Sequence, residues 1–162
     1  MVAKEILDFK NIEDDYDRAY QLVSYLFRDK TDKAGVPYIN HLVSVSSMLD
    51  TSNTKIAGLL HDIVEDISDF TLNDLKMLGF SEDVVEIVRI VTKDKKRKKN
   101  YHDWISEIIE AKNIDAIKVK YADIVDHLKL ERLNRLDEVT RLYFINKYSD
   151  EVVRLHQVLI AV

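Results

Sequence analysis

Only three glycines and one proline interrupt 162 residues, and this scarcity constrains the fold more than any other feature. Turns and irregular linkers draw on glycine and proline, so a chain poor in both has few places to stop a helix. The apolar residues agree. Ala19, Leu22, Val23, Leu26 and Phe27 recur at three- and four-residue spacing, as do Val84, Val85, Ile87, Val88 and Val91. That spacing lines one face of a helix. The expectation is an all-α chain, a compact helical bundle with short connections. At 46% hydrophobic and 33% charged, it can bury a sizeable core under a solvated surface, enough for a single domain over 1–162.

Helices are expected over 12–30, 37–49, 54–66, 101–112, 114–130, 139–148 and 149–160, with two shorter ones between 71 and 91. Residues 1–10 read as a short lead-in. The breaks carry their own chemistry. Pro37 suits a first helical turn, and Thr51-Ser52-Asn53, Ser81 and Asn113 are capping residues. Thr71 with Asp74 resembles a capping box, and Gly79 suits the residue after a helix end.

Residues 1–8 lack a basic region followed by an apolar run, so no signal peptide is expected. No apolar stretch approaches the ~20 residues that span a bilayer. The chain has no cysteine, which removes disulfides and thiolate sites and leaves His, Asp and Glu as metal donors. A cytoplasmic setting is expected. The net charge of −5 counts against a nucleic-acid partner, and nothing in the sequence sets an oligomeric state.

The stretch Gly58-Leu59-Leu60-His61-Asp62-Ile63-Val64-Glu65-Asp66 begins apolar and ends in acid. On a continuous helix His61 stacks on Glu65 and Asp62 on Asp66, in two neighbouring stripes that can converge. Like charges at this spacing cost about 0.2–0.5 kcal/mol per pair. Acids at a helix C-terminus oppose its dipole by about 0.3–1 kcal/mol. Either this is a solvated acidic helix end, or a divalent cation reverses the sign of both terms. His41, His61, Asp62 and Asp123 fall on three expected helices among core-facing residues. Singly they read as satisfied core histidines, caps or surface charges; together they form a nitrogen and oxygen donor set for a divalent ion. The run Lys93 to Lys99 is either a solvated loop or a rim that attracts phosphate.

The ordered set His41, His61-Asp62, Asp123 resembles the HD superfamily of metal-dependent phosphohydrolases. The flanks sharpen the resemblance. Asp32-Lys33-Ala34-Gly35-Val36-Pro37-Tyr38-Ile39-Asn40-His41, Leu59 to Asp66, Val91-Thr92-Lys93 and Val119-Lys120-Tyr121-Ala122-Asp123 are similar to the RelA/SpoT-type hydrolase domain. That domain also occurs as small stand-alone alarmone hydrolases. The similarity covers about 16–160 and implies an HD-type bundle without the synthetase domain of the bifunctional enzymes.

The resemblance implies that His41, His61, Asp62 and Asp123 hold one divalent metal, Mn²⁺ being the usual choice. It implies that Glu65 and Asp66 position and activate the attacking water. Lys33 matches a basic residue beside the substrate, and Tyr148 an aromatic that lines the pocket. Lys120 is a phosphate candidate because it lies close to Asp123. The implied activity is metal-dependent hydrolysis of guanosine-3′,5′-bis(diphosphate) at its 3′ position, with a small-molecule nucleotide as partner. Two positions depart from the family. Asp32 stands where the bifunctional enzymes carry Arg. His127 replaces the Asn that contacts the substrate ribose, and can substitute for it, ligate metal or block the nucleotide. These departures leave two alternatives, hydrolysis of another nucleotide or small phosphoester, or a catalytically silent sensor.

Overall fold

A computed structural model describes residues 4–162. The first three residues of the lead-in, and with them part of the stretch read for a leader, lie outside the described residues. The helices are α1 (Lys4–Leu7), α2 (Asp15–Leu26), α3 (Ile39–Ser47), α4 (Ser52–Leu60), α5 (Ile63–Asp66), α6 (Leu72–Met77), α7 (Glu82–Val91), α8 (Tyr101–Glu110), α9 (Ile114–His127), α10 (Leu130–Leu133) and α11 (Glu138–Ile160). A 3₁₀ turn, Asp8–Asn11, follows α1. The only strand-like pairing among the described residues is a bridge between Thr31 and Pro37. The all-α expectation holds. No helix among the described residues is long and apolar enough to cross a membrane.

The capping chemistry fixes the breaks. Thr51 and Thr71 each form a capping box, and Ser81, Asn100 and Asn113 each accept a backbone N–H of the first turn. These bonds satisfy donors that a helix start leaves unpaired. Gly79 ends α6 at φ +85°, a backbone conformation that costs glycine little.

Helix α4 is the centre of the larger apolar cluster. Its Ile56, Ala57, Leu59 and Leu60 pack with Leu22 and Val23 of α2, Leu42 and Val45 of α3, Ile87 and Val88 of α7, and Val119 of α9. A second cluster joins Trp104, Ile105 and Ile108 of α8 to Ile117 and Ile124 of α9 and to Tyr148 and Leu155 of α11. Helix α9 therefore serves both clusters and carries polar residues between them. Helices α3 and α4 approach closely at Gly58, where a Cβ would stand 2.8 Å from Leu49 Cδ1 and 3.0 Å from Ser46 Cα.

Several boundaries differ from the sequence reading: the helix expected over 12–30 is confined to Asp15–Leu26, and α4 starts at Ser52 rather than 54. The expected helix over 54–66 is two helices, broken at His61 and Asp62. The His61 side chain takes the Gly58 carbonyl at 2.7 Å, and the chain restarts as the single turn of α5. The expected pair over 139–160 is one helix, α11, within which Ser149 Oγ donates to the Ile145 carbonyl at 2.6 Å. A serine satisfied in this way does not stop a helix. Helix α9 ends at His127 rather than 130, since Lys129 leaves the helical region at ψ 130°. Pro37 precedes α3, held in the bridge to Thr31.

Candidate metal centre and its pocket

Three elements bring the sequence-predicted donors together. His41 comes from the first turn of α3, His61 and Asp62 from the α4–α5 break, and Asp123 from the last turns of α9. His41, His61 and Asp123 are buried, and one ligand atom from each lies within 4.8 Å of the other two. His41 Nε2 is 3.2 Å and His61 Nε2 3.4 Å from Asp123 Oδ1. Asp62 stands beside this trio, its Oδ2 3.1 Å from His61 Nε2 and 3.7 Å from His41 Nε2.

The buried atoms His41 Nε2, His61 Nε2 and Asp123 Oδ1 have no hydrogen-bond partner. Leaving such a group unpaired costs about 1–3 kcal/mol. Three of them converging is the arrangement a divalent ion satisfies, and the imidazole and carboxylate donors suit one. The residues present therefore fit a metal. The protonation balance agrees. Burial pushes the His61 imidazole down, yet Asp62 and Asp123 outweigh it and hold the ring well above its ordinary value. His41 is likewise pushed down by burial but held up by Asp123 and Asp126. Burial pushes Asp123 up, and Lys120 and His61 overcome it to hold that carboxyl well below the usual range. The cluster calls for positive charge, which a divalent ion supplies with both rings neutral.

Each donor is held from behind. The Gly58 carbonyl fixes His61 Nδ1 at 2.7 Å. Tyr38 O–H donates to Asp62 Oδ2 at 2.5 Å. Lys120 Nζ donates to Asp123 Oδ2 at 2.7 Å and lies 4.3 Å over the Trp104 ring. Asp126 lies 2.6 Å from His41 Nδ1.

Glu65 and Asp66 line the same pocket, of about 620 Å³. Glu65 Oε1 accepts the Lys93 backbone N–H at 2.5 Å, and Asp66 pairs with Lys30 at 3.5 Å. Burial raises both carboxyls above their ordinary values, against the Lys93 N–H for Glu65 and with the help of the Asp62 charge for Asp66. Lys33, Asp62, Lys120, Asp123, His127 and Tyr148 also line the pocket, and the two remaining sequence-predicted residues, His41 and His61, are buried against Asp62 and Asp123. His127 stacks on Tyr148 with ring centroids 5.0 Å apart, and its Nε2 is 3.2 Å from Asp123 Oδ1. Its Nδ1 is buried and without a partner. Burial pushes this imidazole below its ordinary value.

Sequence reasoning gave no role to Tyr38, Asp126, Arg132 or Lys147. Tyr38 lies inside the Pro37 to His41 segment, and Asp126 follows Asp123 by one helical turn; both signals were present. Lys147 lies beside three tyrosine rings, 4.7 Å from that of Tyr101, and only the fold brings it there. Of the basic run, Lys93 alone lines this pocket. Arg97 and Lys99 both pair with Glu107, and Lys95 Nζ donates to the Glu65 carbonyl at 2.5 Å.

Comparison with known proteins gives this geometry a lineage. Residues 19–157 match the HD domain family. Over 112 residues the chain is 34% identical to MESH1 of Drosophila melanogaster, a guanosine-3′,5′-bis(diphosphate) 3′-pyrophosphohydrolase, covering 65% of this chain and 62% of that protein. It is 30% identical over 138 residues to the bifunctional (p)ppGpp synthase/hydrolase SpoT of Escherichia coli K12, covering 77% of this chain and 19% of the relative. The chain thus spans under two thirds of either relative. A solved structure of a metazoan ortholog of SpoT that hydrolyzes ppGpp superposes with a TM-score of 0.70 at 25% identity, over 91% of this chain and 92% of that one. The fold, the placement of the donor residues and the match over 19–157 have one reading: this chain belongs to the HD domain family.

Proposed function

We propose that this chain is a metal-dependent phosphohydrolase that removes pyrophosphate from the 3′ position of guanosine-3′,5′-bis(diphosphate). The observation that carries the reading is the trio of partnerless buried atoms, His41 Nε2, His61 Nε2 and Asp123 Oδ1, beside a pocket lined by Asp123, Glu65, Asp66 and several lysines. The substrate is taken from the activity named for the Drosophila and E. coli relatives. That step is an argument from kinship, since one fold hosts many substrates. The proposal treats 1–162 as one hydrolase unit, supported by the family match over 19–157, and places it in the cytoplasm.

His41, His61, Asp62 and Asp123 would hold the ion, Mn²⁺ on the family resemblance. When bound, it supplies Lewis acidity, making water a stronger acid and offsetting charge on phosphoryl oxygens. The remaining work falls to the chain. Glu65 and Asp66 orient the attacking water and take its proton, a role suited to carboxyls that burial has made more basic. The water oxygen bonds to the phosphorus that carries O3′, the P–O3′ bond breaks, and O3′ takes up a proton as it leaves. The products are GDP and pyrophosphate.

Lys33 and Lys147 make no ion pair among the described residues and serve as phosphate contacts. Lys120 spends one N–H on Asp123 and keeps two for phosphate oxygens. The stacked His127 and Tyr148 form a wall for the nucleoside. His127 is also the residue that favours the second reading, a different phosphoester.

Turnover tests the proposal. Chelator-stripped protein reloaded with Mn²⁺ is given guanosine tetraphosphate, and GDP and pyrophosphate are followed directly. Metal-dependent release of both in equal amounts is expected. Bound metal without release overturns the alarmone reading and moves the substrate to another phosphoester, or the protein to the sensors.

A further inference from the structure

Behind His41 lies a carboxylate that neither the motifs nor the proposed chemistry uses. Asp126 is 1% exposed and surrounded by donors. Its Oδ2 stands 2.6 Å from His41 Nδ1 and takes the Arg132 guanidinium. Its Oδ1 accepts the Ser44 hydroxyl at 2.5 Å and lies 3.1 Å from Lys129 Nζ. The other guanidinium nitrogen of Arg132 reaches Asp32 Oδ2 at 3.3 Å. Asp32 Oδ1 accepts the backbone N–H groups of Ala34 and Val36 at 2.8 and 3.0 Å, closing the turn that carries Lys33.

This arrangement decides where the His41 proton sits. A carboxylate between two cations and a hydroxyl is ionised and can only accept. Two acceptors 2.6 Å apart with no hydrogen between them repel, so Nδ1 carries the hydrogen and donates it to Asp126. Arg132 Nη1 is also 2.9 Å from Nδ1, but its N–H groups have the two carboxylates to serve. A neutral imidazole protonated at Nδ1 has its lone pair on Nε2. Nε2 is the atom that faces Asp123 and has no partner.

We propose that Asp126 is a positioning residue for the metal centre: it fixes the His41 ring and its Nδ1–H tautomer, so that Nε2 is presented to the ion. Carboxylates behind metal-bound histidines act in this way, and their loss costs about 10–100-fold in metal affinity. The inference rests on the metal-binding half of the proposed function and not on its substrate.

The test has two readouts that need no turnover. The first is Mn²⁺ affinity, from the electron paramagnetic resonance of free Mn²⁺ during titration of the full chain. The second is the ring tautomer in metal-free protein at alkaline pH, from two-bond ¹H–¹⁵N spectra of the histidines. In the parent protein the His41 proton is expected on Nδ1. In Asp126→Ala the proton shifts toward Nε2, and Mn²⁺ affinity falls by about 10–100-fold. Asp126→Asn keeps an oxygen that accepts from Nδ1; it retains the tautomer with a smaller loss of affinity, and it stands in if the alanine variant fails to fold. Parent protein protonated at Nε2, or a folded alanine variant with unchanged affinity, overturns the inference. Parent protein that binds no Mn²⁺ overturns it together with the metal reading. Protein that binds Mn²⁺ and depends on Asp126, yet turns over no alarmone, sinks only the proposed substrate.

Discussion

The floor of the pocket takes Asp62, Glu65 and Asp66 from one short stretch, with His61 buried beside Asp62, whereas its wall takes Lys33, Lys93, Trp104, Lys147 and Tyr148 from segments far apart in the chain. The floor is held by short local bonds. The Gly58 carbonyl bonds to His61 Nδ1, at the point where α3 approaches α4 too closely for a Cβ. The wall is held largely by packing and by lysines lying over aromatic rings: Tyr148 and Trp104 belong to the second apolar cluster, and the Lys33, Lys93 and Lys147 ammonium groups lie over rings and make no ion pair among the described residues. A rigid floor of acid and imidazole suits chemistry at one atom. A wall of unpaired ammonium groups and ring faces suits recognition of something large and anionic.

If this division is right, floor and wall substitutions fail differently. Glu65→Gln removes a proton acceptor and leaves the donor set alone. The expected result is a fall in kcat of about 10²–10⁴-fold, the usual worth of general base catalysis, with Mn²⁺ affinity little changed. Activity that survives in this variant breaks the assignment of chemistry to the floor. Lys147→Ala tests the wall. Burial and the neighbouring Lys120 push the Lys147 ammonium below its ordinary value, so an anion beside it relieves a real cost. KM is expected to rise by about 10–100-fold, the worth of a charge-assisted hydrogen bond, with kcat far less affected. A fall in kcat with KM unchanged would put Lys147 on the floor side of the comparison.

The same contrast explains what was legible in the sequence. The floor was legible because its residues are adjacent and of unmistakable chemistry, and because His41 and Asp123 recur in order around them. The caps were legible because Thr51, Thr71, Ser81 and Asn113 act on their own first turn. The break at His61 was not, since the four-residue spacing to Glu65 continues a helix on paper. In the structure the chain turns at His61 and Asp62, where the His61 side chain bonds to the Gly58 carbonyl. The continuity of α11 was hidden in the same way, in the bond of Ser149 to a carbonyl one turn back. The wall was the least legible. Lys147 precedes Tyr148, which the resemblance picks out, but its place beside Tyr101 depends on how α11 packs against α8. Asp126 sits among apolar residues of α9 and gains its meaning from His41, 85 positions away.

The basic run sharpens the comparison with the smallest effect. Read as a charge cluster, Lys93 to Lys99 is a uniform phosphate-attracting rim. The structure divides it. Lys93 faces the pocket while its backbone N–H holds Glu65, so it touches wall and floor at once. Arg97 and Lys99 converge on Glu107, away from the pocket lining. Exposed charges at a distance are screened within about 10 Å at ordinary salt. Lys99→Ala is therefore expected to change KM by less than about twofold at that ionic strength. Lys93→Ala should raise KM well beyond this, because the lost ammonium lies at the pocket itself. The measurement is KM for both variants at low and at physiological salt. Equal effects that fade together as salt rises would return the whole run to a diffuse rim and remove Lys93 from the wall.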